Sequence, residues 1–127
     1  MMIGHDAASL PKAGPYSHAI EHDHLLHLSG QTPFDPETGQ LVVGDVRNQT
    51  AQCFRNLGVV LGEAGLSLRD VVKCNVYLVD MADFAEMNAE YAMHVSAPQP
   101  ARTTVAVVGL PLGARVEIEL VARRPRL

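Results

Sequence analysis

Aromatic side chains are scarce in this chain of 127 residues, which has three Tyr, three Phe and no Trp. The core must therefore be built mainly from Val, Leu, Ile, Ala and Met. Few rings are left on which nucleic-acid bases could stack. With 47% hydrophobic and 19% charged residues, the composition is that of a globular chain rather than a disordered one. The length suits a single domain, residues 1–127.

An excess of positive charge is also missing. Ten Lys and Arg stand against fourteen Asp and Glu, which gives a net charge of −4. This balance argues against a large nucleic-acid interface, because such a surface needs a basic face. It leaves room for a small anion site built on one or two arginines.

Long apolar runs and cysteine pairs are absent as well. No stretch reaches the roughly 18 apolar residues of a membrane span, and Met1 to Pro11 lacks the basic-then-apolar pattern of a signal peptide. The only cysteines, Cys53 and Cys74, fall in a predicted helix and a predicted strand, where they read as small core residues. We therefore expect no disulfide framework and a cytoplasmic protein.

Hydrophobic periodicity predicts the order strand, strand, short strand, helix, strand, helix, strand, strand. The first helix is predicted from Val46 to Ala64, with Asp45 as N-cap and Gly65 as stop signal, and the second from an Asp80 cap to about Val95. No strand is predicted before Tyr16. The predicted strands are Tyr16–Glu21, His24–Leu28, Leu41–Val43, Val71–Val79, Thr103–Val108 and Arg115–Arg123.

This order predicts an α+β fold, one β-sheet with two helices packed on one face. Two helices cover only one face of a sheet. The other face would present Tyr77, Val79 and Val121 among polar groups, which suggests a partner, most simply further copies of this chain.

Several familiar reactive motifs are missing. The four clustered histidines have no cysteine nearby and no zinc-ligand spacing, so we expect no metal site. Gly109 to Gly113 lacks the ending of a phosphate loop, and Ser29 lacks the frame of a nucleophilic serine. The histidines are His18, His22, His24 and His27.

The segment Pro100-Ala101-Arg102-Thr103-Thr104 and the later Glu117-Ile118-Glu119 carry the clearest candidate chemistry. A guanidinium binds a carboxylate through two parallel hydrogen bonds, and a nearby glutamate can move protons. Taken alone, the pattern is better explained by a surface arginine and a solvated strand face. Strand periodicity places Glu117 and Glu119 on the same face, so it does not choose between them.

At this point the residues resemble those of the Rid family (reactive intermediate deaminase, also called YjgF or L-PSP endoribonuclease). The resemblance covers nearly the whole chain, and the joint order and spacing of its pieces are specific. The matching pieces are Gly14-Pro15-Tyr16-Ser17, Ser29-Gly30-Gln31, Asp35-Pro36-Glu37-Thr38-Gly39, Asn56-Leu57, Val72-Lys73, Asp80-Met81-Ala82-Asp83-Phe84, Asn88 with Tyr91, Pro100-Ala101-Arg102-Thr103-Thr104-Val105, Leu110-Pro111 and Glu117-Ile118-Glu119.

The resemblance implies a chorismate-mutase-like α+β domain with a mixed sheet. It also implies a homotrimer whose sheets form an inner barrel, with pockets between subunits. The implied activity, of the RidA type, is hydrolysis of enamine and imine intermediates such as 2-aminoacrylate to a 2-keto acid and ammonia. No cofactor is implied, and the implied partner is a small carboxylate substrate.

The resemblance also assigns roles to residues. Arg102 matches the arginine that binds the substrate carboxylate, and Glu117 the glutamate that orients the attacking water. Thr104 matches the position whose backbone carbonyl helps to hold that water. Four more positions match residues that line the pocket: Tyr16, Ser29, Gly30 and Asn88.

The chain departs from the family pattern at five positions. His18 stands where Gln is frequent, and His94 and Val95 stand where aromatic residues are frequent. Ala106 and Gly109 replace a glutamate and an arginine. We expect His94 and Val95 to reshape one wall of the pocket and Ala106 and Gly109 to remove charge near it, which leaves the substrate range open.

Two other functions remain open from the sequence. One is a ribonuclease, the activity after which part of the family is named, against which the charge balance and the few aromatics argue. The other is a non-catalytic binder of small carboxylic acids that uses the same arginine.

Overall fold

A six-stranded sheet with two helices on one face forms the body of the molecule; the structure, a computed structural model, describes residues 1–126. The helices are α1 (Val46–Glu63) and α2 (Phe84–Tyr91). The strands are β1 (Ile3–His5), β2 (Ala19–His22), β3 (Leu25–Gln31), β4 (Phe34–Asp35), β5 (Gln40–Leu41), β6 (Val71–Leu78), β7 (Ala101–Ala106) and β8 (Val116–Arg123).

The sheet is mixed and has the strand order β1-β2-β3-β8-β6-β7. Only β6 and β7 run parallel, while β4 and β5 form a separate two-stranded hairpin. The apolar residues of the central strands alternate, so one set is buried under the helices. That set includes Cys74, Val76, Leu78, Val116, Ile118, Leu120 and Ala122. The α+β layer predicted from the periodicity is confirmed.

The first helix begins and ends close to where its capping residues predict. The Asp45 carboxylate accepts a hydrogen bond from the Asn48 N–H, which satisfies one of the free donors of the first turn. At the other end Gly65 takes a φ of +74°, a left-handed conformation that glycine adopts without steric cost. Both cysteines are buried and free, as their placement in core elements predicts.

The structure departs from the predicted elements at the N-terminus and at the second helix. β1 was missed because its three residues are too few to show a period, and it forms only by pairing with β2. The second helix begins after a 3₁₀ turn at Met81–Asp83 and ends at Tyr91 instead of Val95. It ends early because the N–H groups of Met93 and His94 bond to carbonyls three residues back, which tightens the chain.

The face of the sheet opposite the helices is covered by no element of the described residues. It carries Lys73, Asn75, Tyr77, Glu117, Glu119 and Val121. β7 lies at the edge of the sheet, so its outer side has no neighbouring strand within residues 1–126. No helix in this described range combines the length and apolarity needed to cross a membrane.

Candidate functional site

Arg102 lies on the helix side of the sheet, above α2. Its partner in the β6–β7 register is the buried Cys74, and paired residues of neighbouring strands point to the same face. One guanidinium nitrogen, Nη1, donates to Asn88 Oδ1 at 2.7 Å. The guanidinium carbon lies 4.7 Å from the centre of the Tyr91 ring and 5.6 Å from that of Phe84.

The charge of Arg102 is not neutralised by any carboxylate of the described residues, since none lies within ion-pair distance. A guanidinium held on neutral groups keeps donors free for an anion. Two residues further along β7, Thr104 lies on the same face, and its hydroxyl is buried without a hydrogen-bond partner within residues 1–126.

Glu117 lies on the opposite side of the sheet, on the uncovered face. Its partner in the register of β6 and β8 is Tyr77, whose side chain also occupies that face. Gly30 lies directly beside it: a Cβ atom there would collide with the Glu117 carboxylate, so any larger residue would displace that carboxylate from its present position. Burial, and secondarily the nearby Glu119, raises the pKa of the Glu117 carboxyl above its usual value.

Glu119 has a different environment from Glu117, although both share one face of β8. The Tyr77 hydroxyl donates to Glu119 Oε1, and Asn75 Nδ2 donates to the same oxygen at 3.2 Å. The hydrogen bond to Glu119, followed by burial, raises the pKa of the Tyr77 phenol to about 12. Glu117 accepts no hydrogen bond from a side chain of the described residues, so its carboxylate is the one free to bind water.

The segment around Tyr16 is tied to β3 next to Gly30. Ser29 Oγ donates to the Ser17 carbonyl at 2.7 Å, and the Ser29 N–H donates to the His18 carbonyl at 2.9 Å. The side chain of Tyr16 is 42% exposed, and its hydroxyl accepts from the Ala13 N–H. These links place the chain next to Tyr16 beside Ser29, while Gly30 adjoins Glu117, and we call Tyr16, Ser29, Gly30 and Glu117 the glutamate half-site.

His18 holds the N-terminal segment in place. It is buried, its Nδ1 accepts from the Ala7 N–H at 3.0 Å, and its Nε2 lies 3.1 Å from the Pro11 carbonyl. Its backbone N–H donates to Asp6. Across the described residues, no group of three or more His, Cys, Asp or Glu side chains is arranged to hold a metal ion.

Arg102, Asn88 and Thr104 form the second group, the arginine half-site. The two half-sites lie on opposite faces of the sheet, so one chain does not bring Arg102 and Glu117 to the same substrate. The sequence alone indicated their residue types but not this separation, which depends on the register of three strands.

The sequence did not indicate that Phe84 and Tyr91 lie next to the Arg102 guanidinium, because their spacing predicted only an apolar face of the helix. The signal was their helical spacing with Asn88, which places all three on one face of α2. His94 and Val95, which differ from the family pattern, follow α2 and lie in the helix layer. The His94 ring stacks on Phe54 with centroids 4.7 Å apart, and Val95 packs against the core.

Known proteins share both sequence and fold with the chain. The model of a family described as Endoribonuclease L-PSP matches residues 7–124. A RutC family protein of Pyrococcus horikoshii is 48% identical over 109 residues, 86% of this chain and 86% of that protein. A Mus musculus protein named 2-iminobutanoate/2-iminopropanoate deaminase is 44% identical over 109 residues, 86% of this chain and 81% of that one.

A solved structure extends the similarity to three dimensions. The crystal structure of E. coli TdcF with bound serine matches with a TM-score of 0.88 at 33% identity. The match covers 96% of this chain and 98% of that chain. Every residue of both half-sites lies within the residues that the family model matches.

Proposed function

The chain belongs to the endoribonuclease L-PSP family, also called the Rid family, and on that basis we propose that it is an imine and enamine deaminase. It hydrolyses intermediates of the 2-aminoacrylate type to 2-keto acids and ammonia. An enamine first becomes the imine by transfer of a proton from nitrogen to carbon. Water then adds to the carbon of the C=N bond, the C–N bond of the resulting carbinolamine breaks, and ammonia leaves as the carbonyl forms. The reaction is balanced without a redox cofactor.

The observation that carries this proposal is the free guanidinium of Arg102. It is fixed by Asn88 and by two aromatic rings, and no carboxylate of the described residues neutralises it. A planar fork of this kind matches a substrate carboxylate in a two-pronged geometry. Both named substrates of the Mus musculus relative, 2-iminobutanoate and 2-iminopropanoate, carry such a carboxylate.

Glu117 orients the water in this proposal. Its carboxylate has no side-chain donor among the described residues, and its raised pKa makes it a better proton acceptor than an ordinary glutamate. Thr104 contributes its backbone carbonyl to the same water, and Tyr16, Ser29, Gly30 and Asn88 line the pocket. The protein then needs only to orient substrate and water, because a protonated imine is already electrophilic.

A complete pocket requires two chains, because the half-sites face opposite sides of one sheet. We propose a homotrimer in which Arg102 of one subunit meets the glutamate half-site of the next, with three sheets lining an inner barrel. The partly apolar and uncovered face of the sheet supports this arrangement.

The test is release of keto acid from freshly generated 2-iminopropanoate. We expect Arg102→Ala and Arg102→Lys each to lower kcat/KM by at least about a hundredfold, because lysine cannot form the two-pronged contact. Arg69→Ala, which removes a charge remote from both half-sites, is the control. Activity of Arg102→Lys near that of the parent would contradict the two-pronged model.

Two alternatives give different results in the same samples. A binder of small carboxylic acids would take up a keto acid through Arg102 without releasing product from the imine. A ribonuclease, the activity in the family's description, would cut RNA in a trimer fraction and lose cutting in Arg102→Ala. The negative net charge argues against the ribonuclease.

A further inference from the structure

The guanidinium of Arg102 rests on the aromatic ring of Tyr91. Of the two rings near it, that of Tyr91 is the closer, with its centre 4.7 Å from the guanidinium carbon against 5.6 Å for Phe84. Tyr91 is also the more buried, at 6% exposure. A cation over the face of a buried ring is attracted by the negative charge of that face, more strongly than at an exposed site.

The Tyr91 ring is itself held in place by other aromatic groups. Phe54 of α1 meets it edge-on, with centroids 5.5 Å apart and an angle of 67° between the planes. On Phe54 lies the His94 ring, nearly parallel at 6°, and His94 Nε2 is 2.7 Å from Glu90 Oε2. The stack therefore ties the plane of the Tyr91 ring to both helices.

The hydroxyl of Tyr91 does not supply this hold. It is buried beside the thiol of Cys74, and burial together with that neighbour raises the pKa of the phenol. Arg102 lies against the ring, and no hydrogen bond joins the Tyr91 hydroxyl to Arg102, Asn88 or Thr104 within residues 1–126. The ring face is thus the part of Tyr91 that acts on Arg102.

We propose that Tyr91 is a positioning residue for Arg102, whose ring holds the guanidinium in the plane in which its fork meets the substrate carboxylate. The inference rests on the proposed deaminase function. An arginine that binds the carboxylate equally in substrate and transition state affects KM more than kcat. Loss of the Tyr91 ring therefore raises KM and leaves kcat nearly unchanged.

The experiment compares two substitutions at one position with the parent, using 2-iminopropanoate as substrate. Tyr91→Leu removes the ring and is expected to raise KM about tenfold. Tyr91→Phe keeps the ring, removes the hydroxyl and is expected to keep the parent's KM. Tyr91→Met, similar in volume to leucine but unbranched and more adaptable, replaces the leucine variant if that one does not fold, with the same rise in KM expected.

A control and a double variant separate positioning from stability. Met87→Ala removes a buried side chain from the same helix that has no recorded contact with Arg102, so it should lower Tm without changing KM. The pair Arg102→Ala and Tyr91→Leu should be non-additive: once Arg102 is absent, loss of the ring should cost nothing further in kcat/KM.

The outcomes distinguish this inference from the function on which it rests. A parent protein that releases no keto acid overturns the proposed function and the inference with it. An active parent with an unchanged KM in Tyr91→Leu overturns the inference alone, as do additive effects in the double variant. A rise in KM in Tyr91→Phe equal to that in Tyr91→Leu overturns it too, since the hydroxyl would then be the acting group.

Discussion

Glu117 and Glu119 have the same side chain, the same strand and the same face, but different surroundings. Tyr77 and Asn75 both donate to Glu119, while Glu117 lies against the backbone of Gly30. A buried carboxylate without donors is harder to ionise and holds a proton more readily. In the proposed mechanism these surroundings assign the chemical role to Glu117 and a structural one to Glu119, a difference that strand periodicity does not contain.

We expect Glu117→Gln to lower kcat by roughly 10²–10⁴, because the amide keeps the shape and cannot take a proton from water. Glu119→Gln should retain most activity, since its Oε1 is already engaged by Tyr77 and Asn75 on the sheet surface. Both variants should be assayed on the same imine with their assembled mass checked. The assignment of the water-orienting role to Glu117 is wrong if Glu119→Gln is the inactive variant.

The ionised Glu117 carboxylate should also lower the stability of the fold at neutral pH. Because its folded pKa is raised above 4.5, the folded chain binds this proton more tightly than the unfolded chain, so its contribution to stability falls as pH rises above 4.5. Glu117→Gln should therefore have a higher Tm than the parent at pH 7, with the difference shrinking towards pH 4. Thermal melts across this range measure it, and a lower Tm of the variant at pH 7 contradicts it.

Among the elements, the end of β8 is joined to three other parts of the fold through Arg124. Its guanidinium donates to both oxygens of Glu21 in β2, at 2.6 and 3.0 Å, and to the Ala64 carbonyl at the end of α1. Glu21 also lies 3.0 Å from His5 of β1. Hydrogen bonding to Arg124 lowers the pKa of Glu21 to about 2.

This link predicts a pH-dependent stability. A carboxylate with a lowered pKa stabilises the fold above its usual value, and that stabilisation is lost as pH falls from about 4.5 towards 2. We expect Glu21→Gln to lower the free energy of unfolding at pH 7 and to approach the parent near pH 2. Denaturant titrations at both pH values test it, with the exposed Glu63→Gln as control. An equal loss at both values would contradict it.

The elements that the sequence predicted well carry their own boundary signals. Asp45 and Gly65 bracket α1, and both signals lie within one turn of the helix ends. β1 carries no such signal, because it depends on pairing with β2 and on His5 meeting a residue sixteen positions away. The early end of α2 likewise depends on local turns that periodicity does not encode.

At the scale of the molecule, the motifs indicated candidate site residues but not how the fold distributes them. Arg102 and Glu117 are only fifteen positions apart in the sequence, which suggests proximity. The register of β6 with both β7 and β8 places them on opposite faces instead. A single sequence shows a strand's alternation, but the register that relates two strands arises only from the packed sheet.

A mixing experiment tests whether two chains build one pocket. Arg102→Ala and Glu117→Gln should each be inactive as pure samples that run at about three chain masses by light scattering. Unfolded together in equal amounts and refolded, they should regain activity at roughly a quarter of the parent's, the share of pockets that receive one intact residue from each chain. No regain in mixed trimers would mean that both residues act within one chain.

The separation of the half-sites has a kinetic consequence for how activity depends on dilution. In the proposed trimer each pocket is built from two subunits, so a dissociated subunit contributes to two pockets but contains no complete one. Below the concentration at which subunits dissociate, the rate should then rise with up to about the third power of the chain concentration, by mass action. The dependence of the rate on protein concentration would therefore measure the dissociation of the trimer.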